Sequence, residues 1–166
     1  MQTRIQIPLR SVLSTLLLAG GVAMNALPVH AADTPVETAK PAAAPAEDAM
    51  ATARKHIQAK QWSQAASVLE KVVAKEPRNA DAHNLLGFSY RWMDRMDDSF
   101  ASYGKALAIE PNHRGAHQYV GVAYLKVGKP EKAEEHLAKL QQICGANCEE
   151  TRELAAKLAE YKTAKR

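Results

Sequence analysis

Apolar positions follow three different patterns along the chain. Between Ser11 and Met24 they form an almost unbroken run, "SVLSTLLLAGGVAM". In "ADTPVETAKPAAAPAED" (Ala32–Asp48) they show no period at all. Beyond that point the spacing becomes helical. His83, Leu86, Gly87 and Tyr90 stand at i, i+3, i+4 and i+7, one face of one helix. Ala65, Leu69 and Val72 line a face in the same way, as do Leu154, Leu158 and Tyr161, whose helix is charged on its other side. The punctuation agrees. "EPRNAD" and "EPNHRG" each place a proline just after a helix end, which it cannot continue. In "KVGKPEKAEE", Gly128 closes one helix and Pro130 opens the next. About 120 residues remain after the first two stretches, enough for one domain. They are rich in alanine and poor in glycine, proline and aromatics, so the expected class is all-α.

The helical part repeats. Shifted by 34 residues, "AHNLLGFSY" (Ala82–Tyr90) falls on "AHQYVGVAY" (Ala116–Tyr124), and Ser99, Tyr103 and Ala106 fall on Ala133, Leu137 and Leu140. The opposite shift aligns Ala53 with Gly87, Ala65 with Ser99, Leu69 with Tyr103 and Pro77 with Pro111. A fixed period of this size marks a stacked helical array. Gly87 and Gly121 sit mid-helix, where glycine costs about 1 kcal/mol against alanine. Close helix contact recovers dispersion energy over many atom pairs. The two glycines are therefore expected at such contacts, against Ser99 and Ala133.

These residues resemble the tetratricopeptide repeat pattern: Leu86, Gly87, Tyr90, Ser99, Tyr103, Ala106 and Pro111 in the second segment, then Gly121, Tyr124 and Ala133 in the third. The first keeps Ala65, Leu69 and Pro77, and His83 and His117 stand where the family often has tryptophan. The resemblance implies a right-handed α-solenoid of about three helix-turn-helix units (46–79, 80–113, 114–147) and a capping helix over 148–166. It also implies a concave groove, built by the first helix of each unit, that receives peptide segments. Its expected residues are Arg54 and Gln58 with Met50 and Ile57, then Asn84, Phe88, Arg91 and Trp92, then Gln118, Val122 and Lys126 with Leu125. Phe88 and Trp92 share a face, either as anchors for a partner or as packing for the next unit. One cation per unit (Arg54, Arg91, Lys126) favours an acidic peptide, unless these charges are simply solvated. The paired Lys and Asn of the family's carboxylate clamp are absent.

The N-terminus changes where the molecule is expected to work. Arg4 and Arg10 ahead of the apolar run, and small residues at Val29 and Ala31, describe a secretory signal peptide cut after Ala31. The alternative is an uncleaved anchor. The product is expected in the periplasm or secreted, with no membrane span, on an Ala/Pro-rich tether over 32–45. Loss of Arg4 and Arg10 lowers the net charge from +4 to +2. No dense basic stripe is left for nucleic acid.

In such a compartment Cys144 and Cys148, in "CGANC", are expected to form a disulfide worth about 1–3 kcal/mol across a very short loop. A redox pair, or a metal pair joined by His136, is the alternative. No phosphate loop, zinc-protease helix or nucleophile elbow is present, and His56, His83, His113, His117 and His136 are scattered. The reading is a non-enzymatic adaptor without cofactor, binding a partner protein or peptide and assisting envelope assembly or maturation. A thiol-redox or metal-handling accessory is the alternative function. Self-association through exposed ends is a third option.

Overall fold

The computed structural model describes residues 45–165. The expected leader lies outside the described residues, as does the expected tether up to Pro45. Among the described residues there are seven helices and no strand: α1 Pro45–Gln58, α2 Trp62–Lys75, α3 Ala80–Trp92, α4 Met96–Ile109, α5 Arg114–Lys126, α6 Pro130–Cys144 and α7 Glu149–Ala164. Helices α1/α2, α3/α4 and α5/α6 pack as hairpins. Between hairpins α2 meets α3 and α4 meets α5, while α7 packs on both α5 and α6. The chain is a helical solenoid.

The 34-residue step is written into the turns. Within each hairpin the first helix ends in a left-handed residue, Lys60 (φ 57°), Asp94 (φ 61°) or Gly128 (φ 74°). In each, the next amide reaches back five residues: Gln61 to His56, Arg95 to Tyr90 and Lys129 to Tyr124, at 2.8, 3.0 and 2.9 Å. The left-handed residue itself bonds three back, to Ile57, Arg91 and Leu125. This is the Schellman closure. Only the third uses glycine, the residue that adopts positive φ without steric cost.

The junctions between hairpins also share a design. Asn79 caps α3 by accepting from the Ala82 amide at 2.9 Å, and His113 Nδ1 caps α5 by accepting from the Ala116 amide at 3.2 Å. His83 and His117 donate from Nε2 to the carbonyls of Pro77 (3.1 Å) and Pro111 (2.9 Å). The recurring histidine thus fastens each first helix to the proline turn before it. The α6–α7 junction has neither proline nor side-chain cap. There Cys144 and Cys148 bring their sulfurs together, with Cα atoms 5.8 Å apart.

A Cβ added at Gly87 would stand 2.8 Å from two ring carbons of buried Tyr103 and 3.1 Å from the Ser99 carbonyl oxygen. Ser99 Oγ also donates to the Gly87 carbonyl at 2.8 Å. The expected contact with Ser99 is present. At Gly121 a different helix comes nearest. The three atoms nearest to an added Cβ, at 2.6–3.3 Å, all belong to Leu154 of α7. The physical reason is side-chain size. Leu137 occupies the place equivalent to Tyr103, is only half-buried, and packs beside Leu125 and Leu158 instead.

Candidate functional site

The first helices of successive hairpins, α3 and α5, lie side by side with α7 beyond them, and their free faces form a trough. One end is polar, with a cavity of about 510 Å³ reached by Arg54, Asn84, Gln118 and Glu153. The other, of about 650 Å³, is floored by Phe88, Trp92, Tyr119, Val122 and Ala156. Gln118, Tyr119 and Glu153 border both, so the two cavities adjoin.

The apolar end is an aromatic cluster. Trp92 is 52% exposed. It stacks on Trp62 of α2, with ring centroids 5.1 Å apart and planes 9° apart. Phe88 meets Trp62 edge-on at 5.9 Å and Tyr119 at 4.8 Å. The Arg91 guanidinium lies 5.1 Å from the Phe88 centroid and 5.4 Å from that of Trp92, an arrangement that holds the cation against the ring quadrupoles. Burial, and then Glu153, push the Tyr119 phenol up from its ordinary pKa, so it stays a neutral hydrogen-bonding group.

At the polar end Gln118 donates to Glu153 across the α5–α7 contact. Arg114 lies 3.5 Å from Glu150, and His113 Nε2 donates to Asp81 at 3.2 Å. Asn84 is buried at 4% exposure, and its Oδ1 has no hydrogen-bond donor.

Of the residues expected in the groove, Arg54, Asn84, Phe88, Arg91, Trp92, Gln118 and Val122 border the trough. Gln58 and Lys126 line neither cavity. Lys126 reaches back to the Arg91 carbonyl (3.1 Å) and the Asp94 carboxylate (2.9 Å) at the α3–α4 turn. Leu125 is buried against α6 and α7, and Met50 and Ile57 pack on the first core cluster. The idea of an inner cation from each hairpin therefore fails at the third. The trough is bordered by six carboxylates against four arginine or lysine side chains.

The cysteines line neither cavity but lie beside Glu150 at the edge of the polar one, and near Thr151, whose hydroxyl is 3.0 Å from Cys148 Sγ. His136 does not join them. Its Nδ1 lies 2.8 Å from Nδ1 of His117, with Tyr124 stacked on its ring. Since His117 Nε2–H is spent on Pro111, the proton between the two Nδ1 atoms belongs to His136. Burial first, and then His117, lower the His136 pKa to about 4; burial lowers His117 as well.

No protein-family profile matches the chain. A 77-residue stretch, 45% of the chain, is 30% identical to the general transcriptional corepressor trfA of Dictyostelium discoideum and takes up 6% of that protein's length. The TPR2B domain of yeast Sti1, solved in complex with pHsp70, matches with a TM-score of 0.66 at 17% identity, over 72% of this chain and 97% of its own. PcrH, solved with the chaperone binding region of PopD, matches with a TM-score of 0.63 at 16% identity, over 72% and 92%. The chain has the tetratricopeptide-repeat fold. In tetratricopeptide-repeat terms α7 takes the place of a further first helix. It supplies a wall of the trough as well as covering the end of the core.

Sequence reasoning missed Trp62, Tyr119 and Glu153. Tyr119 aligns with Leu85, a position that the repeat pattern does not mark. Glu153 sits among charges that read as plain solvent-facing surface. Among the described residues no helix is long and apolar enough to cross a membrane.

Proposed function

We propose that this chain is an exported adaptor that holds a partner polypeptide in the trough of α3, α5 and α7 and assists the assembly or maturation of envelope proteins. The observation carrying the reading is the exposed Trp92, grouped with Phe88 and Tyr119 in a concave surface. Exposed aromatics in partly desolvated hollows are the usual anchors of protein interfaces. Sti1 and PcrH, which share the fold, are both described with bound partners. The leader supports export to the periplasm, where the Cys144–Cys148 pair is oxidised and staples α6 to α7.

Crosslinking and mass spectrometry on the exported protein identify the partners. They are lost when Phe88 and Trp92 are both changed to Ala with the helical signal unchanged. Recovery of the same partners by that variant sinks the groove assignment. A second reading rests on the proximity of Cys144, Cys148 and Glu150: a thiol or metal accessory. Thiol trapping in the native compartment separates the two. A permanently oxidised pair supports the staple, and a readily cycling pair supports the accessory.

A further inference from the structure

Resting on the peptide-binding reading of the trough, we propose that its occupant is a cationic segment. An apolar or aromatic side chain sits on Phe88, Trp92 and Tyr119, and lysine or arginine side chains lie along Glu149 and Glu153. Two observations converge on this. The polar cavity carries five carboxylates against two guanidinium groups, Arg54 and Arg114, and the Arg114–Glu150 pair leaves four carboxylates against Arg54. The N-termini of α3, α5 and α7 point to this end and offset roughly half a charge each. They do not cancel the excess.

The second observation is adjacency. Glu153 and Tyr119 border both cavities, so one extended segment reaches the aromatic floor and the acidic end together. The same field repels acidic tails and phosphate backbones. Specificity here comes from the pairing of an apolar anchor with adjacent positive charge.

The test uses the intact chain and two fluorescein-labelled peptides. Both carry a Leu-Phe pair, flanked by three lysines in one and three glutamates in the other. Fluorescence anisotropy is read at low and at high salt. The lysine peptide is expected to bind about tenfold more tightly at low salt, and added salt narrows the gap. Glu149→Gln with Glu153→Gln abolishes the preference. Glu149→Gln alone, which leaves the Gln118 contact intact, reduces it. Trp92→Ala weakens both peptides alike.

If the glutamate peptide binds as well as the lysine peptide while Trp92→Ala still weakens both, the charge inference is overturned and the groove reading stands. If neither peptide raises the anisotropy, or Trp92→Ala leaves binding unchanged, the groove reading falls and takes this inference with it.

Discussion

The second and third hairpins follow the same 34-residue template and fill the same hole differently. In α3/α4 the hollow at Gly87 is closed from within the hairpin, by Tyr103 and the Ser99 carbonyl. In α5/α6 the hollow at Gly121 is closed from outside, by Leu154. The second hairpin is self-contained at this point; the third is finished only when α7 docks. A second difference lies on the opposite side of the same helices. His83 leaves Nδ1 unpartnered, with Ser102 at the place equivalent to His136. His117 has that nitrogen paired with His136. One glycine pattern and one histidine pattern thus conceal a rigid unit and a conditional one.

The largest effect expected is from Leu154→Ala, which empties a fully buried site and costs about 3 kcal/mol in urea denaturation. Next come the glycines. Gly87→Ala presses on a ring and on a backbone oxygen that cannot rotate away, and costs about 2 kcal/mol net of the helix propensity gained. Gly121→Ala presses only on leucine side-chain atoms and costs about 1 kcal/mol. The decisive measurement is the double-mutant cycle. In the Leu154→Ala background Gly121→Ala becomes neutral or stabilising, while Gly87→Ala keeps its full cost. Equal costs in both backgrounds would falsify the external closure of the third hairpin.

The histidine contrast is smaller. The folded pKa of His136, about 4, lies below its ordinary value near 6.5, and His117 is lowered too. Protonation therefore favours the unfolded chain. The contribution is complete above about pH 6.5 and is lost as pH falls toward 4. Lys132, Lys139 and His113 act with burial in this direction, while the Pro111 carbonyl on His117 and Glu135 beside His136 oppose it. After discounting for solvent around half-buried rings, the loss is about 1 kcal/mol. It shrinks to the share of His117 in His136→Ser, which gives the third hairpin the residue of the second. A melting curve at pH 7 and pH 4.5 for both proteins reads this directly.

Smallest is the turn. Lys60→Gly relieves a left-handed lysine and stabilises by up to about 1 kcal/mol. Asp94→Gly gains less, because it also removes the Lys126 contact.

The solenoid was readable because a 34-residue step leaves glycine, tyrosine and proline at fixed places, and those residues have few interchangeable substitutes. Proline marked the turns between hairpins, but those within hairpins were readable only where glycine marked them. Lys60 and Asp94 adopt the same backbone with no compositional sign. The trough was half legible. Phe88 and Trp92 stand out as large residues off the packing face, whereas Tyr119 falls at a position that the repeat pattern does not mark. Lys126 looked free because a helical wheel does not show that its amino group folds back on the preceding turn. The acidic end came into view only when α7 was placed, since Glu153 belongs to the wall through a contact distant in sequence.

Leu154 and Glu153 are adjacent on one helix, the first plugging the hollow at Gly121 and the second bordering the trough. Whatever grips the carboxylate also seats its neighbour. Occupancy and folding of the last third of the molecule are thus thermodynamically linked, and a tight guest raises the unfolding temperature of precisely the part that cannot close unaided.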